Sequence, residues 1–184
     1  DELMTFAQRD SRLNGHPARA KLPGIETSTG PLGHGLPVSV GMTIGARIVN
    51  ADWNTYVVTG DGELQEGSNW EAIMFAGHQK LTGLTCIVDR NGLQQGALTE
   101  ETNSLDPLDA KFEAFGWDAT VIDGHDHDAL REAILAAGSK PRAVIAETTK
   151  GKGVSFMENL AVWHHKVPSA DQFAQALAEV NATR

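Results

Sequence analysis

Cysteine is nearly absent: the 184 residues include only Cys86, which falls within an apolar run over residues 84–88. A single cysteine excludes a disulfide framework within the chain. We therefore predict that Cys86 packs inside a buried strand. The same scarcity favours a reducing, cytoplasmic location.

Positive charge is also scarce, with 15 lysine and arginine residues against 24 aspartate and glutamate residues and a net charge of −9. The basic residues are scattered, which argues against a nucleic-acid partner. Apolar runs are short, and none approaches the roughly 18 residues of a transmembrane helix. The first residues do not resemble a signal peptide, so we expect no membrane partner.

Hydrophobic residues make up 41% of the chain, and they occur both in short continuous runs and in longer stretches with helical spacing. Short apolar runs predict strands, and amphipathic stretches around them predict helices. Their alternation predicts one α/β domain over residues 1–184, a doubly wound parallel sheet with helices on both faces. The predicted strands cover residues 55–59, 84–89, 117–122 and 142–147, the helices residues 1–13, 36–51, 69–81, 107–115, 126–137 and 169–180, and the main loops residues 15–35, 90–103 and 148–168.

An acid and an amide each follow a predicted strand. Asp61 lies between Gly60 and Gly62 after the first strand, and Asn91 follows the second. The carboxyl edge of an open parallel sheet is where ligands bind. Glycine lets backbone amides approach an anion closely, and a hard divalent cation takes oxygen ligands that it shares with phosphates. These residues therefore predict a Mg²⁺-diphosphate site.

Three motifs in order resemble the transketolase family. The GDG triplet at residues 60–62 followed by Asn91 is similar to the thiamine diphosphate motif of that family. Residues 15–17 (GHP) and 23–33 (PGIETSTGPLG) resemble its signature loop, and residues 163–168 (WHHKVP) resemble the WHGKAP segment of transketolases made as two chains. The resemblance covers almost the whole chain. It implies the thiamine diphosphate-binding fold, with thiamine diphosphate and Mg²⁺ (or Ca²⁺ or Mn²⁺ in its place) as cofactors.

The resemblance implies a role for individual residues. Asp61, Asn91 and the carbonyl of Leu93 match the metal ligands. His16 matches the histidine beside the substrate hydroxyls, and His164 matches the histidine near the diphosphate and the reacting carbonyl. Glu66 and Glu71 match carboxylates that link two cofactor sites of a dimer, and the further cofactor-binding positions are Gly30, Leu32, Gly62 and Glu63.

Simpler explanations stay open for several of these residues. His16 precedes a proline in a loop, where histidines are commonly surface residues, and His165 competes with His164 for the same role. Glu66 and Glu71 are acids at a helix start, which the helix dipole favours without any further role.

Two other pairs of basic residues invite a functional interpretation. His125 and His127 could ligate a metal, but we expect them to flank a helix cap at Asp126. Lys150 and Lys152 lie in a glycine-rich loop, where phosphate contact and simple exposure are both open.

The chain departs from the family pattern in three respects. His34 stands where the family usually has glutamine, and His165 stands where it has glycine. Two histidines that the family carries upstream of the GHP motif have no counterpart, so we expect that an N-terminal portion is missing.

The resemblance implies one chain of a transketolase that moves a two-carbon ketol unit from a ketose phosphate to an aldose phosphate, as in pentose phosphate metabolism. The glutamate that acts on the cofactor's aminopyrimidine belongs to a separate domain in this family. We therefore expect a C-terminal transketolase subunit with the pyrimidine-binding domain as the partner, in a dimer of heterodimers.

Other functions remain open. The chain could be a non-catalytic or fragmentary structural subunit, although the retained Asp61, Asn91, Gly30 and His16 argue against this. Among related enzymes, deoxyxylulose-phosphate synthase is disfavoured by the GPLG pattern, and a 2-oxo acid dehydrogenase by GHP and WHHKVP. A dinucleotide-binding module is disfavoured because Val38 stands where the third glycine of its fingerprint belongs.

Overall fold

Parallel strand pairing organises the chain, whose computed structural model describes residues 2–182. The strands are β1 (Thr55–Gly60), β2 (Leu84–Arg90), β3 (Leu93–Gln94), β4 (Ala97–Leu98), β5 (Asp118–Asp123) and β6 (Arg142–Glu147). The order β1-β2-β6-β5 gives a sheet that is parallel throughout, and β3 and β4 form a short antiparallel hairpin. The predicted parallel α/β sheet is confirmed.

Helices join and flank these strands. They are α1 (Gly35–Ile48), α2 (Gly67–His78), α3 (Thr99–Thr102), α4 (Leu108–Ala114), α5 (His127–Leu135) and α6 (Ala170–Ala182). Ser169 caps α6 reciprocally: its Oγ accepts from Gln172 N at 3.2 Å, and Gln172 Oε1 accepts from Ser169 N at 3.0 Å. The helices predicted after residue 35 all form, with ends that shift by a few residues. Within residues 2–182, no helix combines the length and hydropathy that a membrane crossing requires.

The prediction of a helix over residues 1–13 is wrong. Only a short 3₁₀ turn forms there, at Glu2–Thr5, and Asp1 lies outside the described residues. Ala7 and Asp10 have φ angles of 57° and 66°, which take the backbone out of the right-handed helical region. The apolar spacing in this stretch therefore does not correspond to a helical face.

The loop predicted over residues 90–103 contains regular structure. It holds the β3–β4 hairpin and α3, and Thr99 N donates to Gly92 O at 2.9 Å to close the segment. Strands of two residues are too short to leave a periodic pattern in a sequence. This segment follows directly after the predicted ligand Asn91.

The strand register places the carboxyl ends of the four parallel strands at one edge of the sheet. Gly60 lies opposite Asp89, and Arg90 lies opposite Glu147. Asp123 also lies opposite Glu147, from the other side. The residues that follow β1, β2, β5 and β6 therefore meet at a single edge.

Helices lie on both faces of the sheet, as predicted, but they cover the faces unequally. The chain passes from β2 across β6 to β5 and returns through α5, so right-handed crossovers place α4 and α5 on opposite faces. The ring of Trp70 in α2 lies 6.3 Å from that of Phe112 in α4, and α1 packs on α2 and β1. The opposite face of β1 is open, with Tyr56 and Val58 48% and 68% exposed.

The main hydrophobic core lies between the sheet and helices α1, α2 and α4. Cys86 is fully buried in it, and burial raises the pKa of its thiol to about 12. The prediction that Cys86 is a packing residue is confirmed. Other members of this core include Leu36, Val57, Ile73, Phe112, Trp117 and Ile145.

Gly77 allows α2 to touch the turn that leads into β5. A Cβ added at Gly77 would lie 1.7 Å from the carbonyl oxygen of Phe115, a backbone atom that cannot move alone. Trp117 stabilises the same contact, because its Nε1 donates to Ile73 O in α2 at 2.8 Å. The approach of these two segments therefore requires glycine.

We expect Gly77→Ala to lower the free energy of unfolding by about 3 kcal/mol, the upper end of the usual cost of overpacking. Urea unfolding of the chain measures this loss. Gly41→Ala in α1 is the matched control, since its added Cβ meets nothing within 4 Å. The control should leave stability unchanged or raise it by up to about 1 kcal/mol. Equal stabilities of the two variants would contradict the close approach.

Candidate functional site

Asp61 follows β1 and is 1% exposed at the carboxyl edge of the sheet. Its Oδ1 accepts from Gly62 N at 2.7 Å, and its Oδ2 accepts from Gly92 N at 2.7 Å. Arg90 Nη1 also donates to Oδ2, at 3.1 Å. A buried carboxylate is tolerated only with such partners, and these donors hold its orientation.

The loop after β2 lies directly beside this carboxylate. Gly92, whose φ is 73°, turns the chain so that its amide points at Asp61. Asn91 Oδ1 accepts from Leu93 N at 3.0 Å, which fixes the amide side chain next to the Leu93 backbone. The three predicted metal-ligating residues therefore come from two adjacent segments that are hydrogen-bonded to each other.

Glu63 connects the glycine-rich loop over residues 15–34 to the end of β1. Its Oε1 accepts from Gly33 N at 3.1 Å, and its Oε2 accepts from Gly60 N at 3.2 Å. Both carboxylate oxygens thus bind backbone amides, so Glu63 positions the loop around the predicted cofactor site. Gly33 is also tied to α2, because Ser68 Oγ donates to Gly33 O at 2.7 Å.

His16 lies against Gly30 in the same loop. A Cβ at Gly30 would lie 3.0 Å from Cγ of the His16 ring, and the φ of Gly30 is 137°. Leu32 is 59% exposed, and its carbonyl oxygen lies 2.9 Å from His34 Nδ1. These residues border a cleft of about 890 Å³ that runs along the open face of β1. The cleft is also lined by Glu63, Tyr56 and Val58.

His164 is brought toward the site by a 3₁₀ turn at Ala161–His164. This turn packs on β3, directly after Asn91. The rings of His164 and His165 lie 4.7 Å apart, edge to face. Partial burial, with the charges of Lys150 and His165, lowers the pKa of His164 below its ordinary value of 6.5. A lowered pKa keeps the imidazole neutral near pH 7, the form that can accept a proton.

Glu66 and Glu71 are both exposed on the surface at α2. Glu66 stands at the N-cap position of α2 but makes no side-chain capping bond, and Glu71 lies one turn further on. Nothing in residues 2–182 connects them by a hydrogen bond to Asp61. Their predicted role in linking two cofactor sites stays a prediction.

His125 and His127 do not belong to any cluster of three or more potential metal ligands among residues 2–182. Asp126 between them caps α5, since its Oδ1 accepts from Asp128 N at 2.9 Å and from Ala129 N at 3.0 Å. His125 Nε2 accepts from Thr149 N at 2.8 Å. The expectation that these histidines flank a helix cap is confirmed.

The donor set at Asp61 fits a hard divalent cation that is shared with phosphate. Its groups are a carboxylate, an amide oxygen and a backbone carbonyl, which are the ligand types that Mg²⁺ prefers. Within residues 2–182 no cluster of three or more His, Cys, Asp or Glu side chains could hold a metal alone. A cation here would need oxygen ligands from another group, as a diphosphate provides.

A buried polar atom without a partner among the described residues lies next to Gly62, and it also indicates that a ligand binds at this position. Gln94 Oε1 is buried without a hydrogen-bond partner, and a Cβ on Gly62 would lie 2.8 Å from Gln94 Cβ. An amide can rotate to present its NH₂ group to an anion. The predicted donor at this position, Gly62 N, instead binds Asp61 within the chain.

Sequence reasoning missed a cluster of four charged side chains behind the site. Arg90, at the end of β2, binds Asp61 and also donates to Glu100 Oε1 at 2.6 Å and Asp106 Oδ1 at 3.1 Å. A signal existed in the sequence, because Arg90 is a basic residue between two polar residues, Asp89 and Asn91. We call Arg90, Asp61, Glu100 and Asp106 the Arg90 cluster.

A parallel sheet with glycine-rich loops and a buried aspartate at its carboxyl edge is typical of α/β proteins that bind a ligand at that edge. The chain matches the family described as "Transketolase, thiamine diphosphate binding domain" over residues 1–180. It therefore belongs to the transketolase family, as the resemblance of its motifs indicated.

Individual relatives agree with this assignment. The chain is 47% identical over 182 residues to one of the subunits of the apulose-4-phosphate transketolase of Actinobacillus succinogenes, covering 98% of this chain and 66% of that protein. It is also 47% identical over 180 residues to the protein of the same name from Phocaeicola vulgatus, covering 96% of this chain and 64% of that protein. The crystal structure of transketolase from Campylobacter jejuni superposes with a TM-score of 0.92 at 31% identity, covering 98% of this chain and 30% of that one. The chain thus spans less than two thirds of the first two relatives.

Stability at acidic pH tests the interactions of the Glu100 carboxylate, which belongs to the Arg90 cluster. The Ser104 hydroxyl, backbone amides and Arg90 lower the pKa of Glu100 from 4.5 to about 2. The unfolded chain therefore takes up this proton first as the pH falls. The stabilisation from Glu100 should be complete above about pH 4.5 and disappear as the pH falls to about 2.

Unfolding free energies of Glu100→Gln between pH 2 and pH 7 measure this effect. We expect the variant to be less stable than the wild type at pH 7 and to lose less stability on acidification. Glu101→Gln, on the same helical turn but exposed, should follow the wild-type pH profile. Parallel profiles for wild type and Glu100→Gln would contradict the hydrogen bonds and the ion pair that are assigned to the Glu100 carboxylate.

Proposed function

We propose that this chain is the diphosphate-binding part of a transketolase that depends on thiamine diphosphate and Mg²⁺. The reaction transfers a two-carbon ketol unit from a ketose phosphate to an aldose phosphate. The observation that carries the proposal is the buried Asp61, which two glycine amides hold beside Asn91 and Leu93 in a transketolase-family chain.

Each group of residues has a defined part in this proposal. Asp61, Asn91 and the Leu93 carbonyl would hold the metal, and Gln94, whose side chain lies beside Gly62, would donate to the diphosphate. The glycine-rich loop over residues 15–34 would enclose the rest of the cofactor. Thiamine diphosphate supplies, when bound, a carbon nucleophile for the ketose carbonyl and a sink for the electron pair of the broken bond.

Two histidines would handle the protons of the sugar. The pKa of His164 lies below its ordinary value, which favours the neutral ring that can accept a proton from a substrate hydroxyl and return it through the same nitrogen. His16, against Gly30 at the border of the cleft, would bind and orient the substrate hydroxyls. The reason for choosing His164 over His165 is its place in the turn against β3.

The proposal includes a partner chain with the pyrimidine-binding domain, in a dimer of heterodimers. Two relatives are each named as one of the subunits of a transketolase, which supports a two-chain enzyme. In this chain, the exposed Glu66 and Glu71 and the uncovered Tyr56 and Val58 are surfaces that such a partner can occupy. A cytoplasmic location is part of the proposal and rests on the single, buried cysteine.

The identity of the donor sugar is the most specific part of the proposal. Two relatives at 47% identity are named for apulose 4-phosphate, so that ketose phosphate is the first donor to test beside xylulose 5-phosphate. The alternative is a non-catalytic subunit. The intact hydrogen-bond network at Asp61 favours a working site, since a decayed site would not need a buried carboxylate.

Cofactor binding tests the metal site directly. We expect calorimetric titration of thiamine diphosphate with Mg²⁺ to give binding to the complete protein, and Asp61→Asn to weaken it by about 100-fold or more, because a charged metal ligand is lost. Asp123→Asn is the control, since Asp123 is an acid at the same sheet edge whose side chain accepts from its own loop amide, His125 N, at 2.8 Å. Equal binding by wild type and Asp61→Asn would remove the metal assignment.

Ketol transfer tests the histidines. With xylulose 5-phosphate or apulose 4-phosphate as donor and ribose 5-phosphate as acceptor, His164→Asn should lower kcat by about 100-fold or more, the usual contribution of a proton-transfer group. His165→Asn, the neighbouring ring, should retain most of the activity. A larger loss from the His165 variant would exchange the two roles, and an absence of ketol transfer in the wild type would favour the non-catalytic alternative.

A further inference from the structure

Arg90 binds the proposed metal ligand Asp61 with its guanidinium group. Nη1 donates to Asp61 Oδ2 at 3.1 Å, and only 11% of the Arg90 side chain is exposed. We propose that Arg90 is a positioning residue that makes Asp61 bind the metal through one oxygen only, and that it thereby favours Mg²⁺ over Ca²⁺. This inference rests on the metal site of the proposed function.

The hydrogen bonds at Asp61 leave one carboxylate position open. A carboxylate offers about four acceptor positions, two on each oxygen. On Oδ2, Gly92 N at 2.7 Å and Arg90 Nη1 at 3.1 Å take both positions. On Oδ1, Gly62 N at 2.7 Å takes one. The remaining position is on Oδ1, so a cation meets a carboxylate that can serve as a monodentate ligand.

Arg90 is held in this arrangement from its far side. Nη2 donates to Glu100 Oε1 at 2.6 Å and to Asp106 Oδ1 at 3.1 Å. Glu100 is itself fixed, because its Oε2 accepts from Ser104 Oγ at 2.6 Å and its Oε1 from Leu105 N at 3.1 Å. The guanidinium therefore bridges the proposed metal ligand to the segment before α4, and its ion pairs with Glu100 and Asp106 hold it beside Oδ2.

Monodentate binding distinguishes the two cations. Mg²⁺ requires near-octahedral geometry with short bonds, whereas Ca²⁺ accepts six to eight oxygens and often binds a carboxylate through both. By occupying Oδ2, Arg90 removes the bidentate option that Ca²⁺ can use. Its positive charge repels the two cations to a similar extent, since each carries two charges. The ratio of the two affinities therefore isolates the geometric effect of Arg90 from its charge.

The test compares MgCl₂ and CaCl₂ binding to the complete protein in the presence of thiamine diphosphate, by calorimetry without any activity measurement. In Arg90→Met the donor to Oδ2 is lost, and we expect the Mg²⁺/Ca²⁺ affinity ratio to fall by about 10-fold, which is the lower end of the change in metal affinity that loss of a ligand-orienting residue usually causes. Arg90→Lys keeps a donor and a charge, so it should retain more of the wild-type ratio than Arg90→Met.

Lys111→Met is the matched control. Lys111 also carries one positive charge and binds the same segment, with Nζ donating to Leu105 O at 2.7 Å, but it makes no bond to Asp61. Loosening that segment or removing a charge would change both variants alike. We expect the Lys111 variant to keep the wild-type ratio. A ratio that is unchanged in Arg90→Met, or lowered equally in Lys111→Met, would overturn the proposed role.

A second variant keeps the test valid if Arg90→Met does not fold. Glu100→Gln leaves Arg90 in place but weakens its anchor, so the ratio should fall in the same direction by a smaller factor. An unchanged ratio in this variant, together with correct folding by circular dichroism, would count against the anchored bridge. Failure of the wild type to bind either cation would instead overturn the metal site of the proposed function.

Discussion

A buried carboxylate must keep hydrogen-bond donors around it, and Asp61 imposes this requirement on the whole carboxyl edge of the sheet. Its donors come from Gly62, from Gly92 and from Arg90. To supply them, the turn after β1 and the loop after β2 must close on the same point. Removal of Arg90 would leave the Asp61 charge without its ion pair, although the side chain of Asp61 is only 1% exposed. The functional edge therefore behaves as one connected unit.

Glutamates extend that unit in two directions. Glu63 ties the glycine-rich loop to the end of β1, because each of its oxygens accepts from a glycine amide. Glu100 ties the segment behind the hairpin to Arg90. In both cases a carboxylate serves to position backbone. The groups at this edge that the proposed cofactor and substrate would use are the open position on Asp61 Oδ1, the side-chain amides of Asn91 and Gln94, and the rings of His16 and His164.

The uneven covering of the sheet complements this organisation. One face is closed by α1, α2 and α4, while Tyr56 and Val58 of β1 stay open beside the cleft that His16 borders. Exposed apolar surface next to a polar site is a common feature of interaction surfaces. The proposed division of the active site between two chains accounts for this exposure, since a partner would close the cleft from the open side.

Sequence alone determined the strand–helix alternation, the parallel sheet, the burial of Cys86 and the family, because these depend on local periodicity and on motifs whose residues are close in the chain. It could not reveal that the first apolar residues form no helix, since the positive φ angles of Ala7 and Asp10 leave no periodic trace. It also could not show which acids meet which partners. Arg90 and Asp61, far apart in sequence, are joined only when β1 and β2 pair in register, and Glu63 became a loop anchor only when that loop folded back. Long-range hydrogen bonds are decided by tertiary packing, because the residue types involved fit many partners equally well.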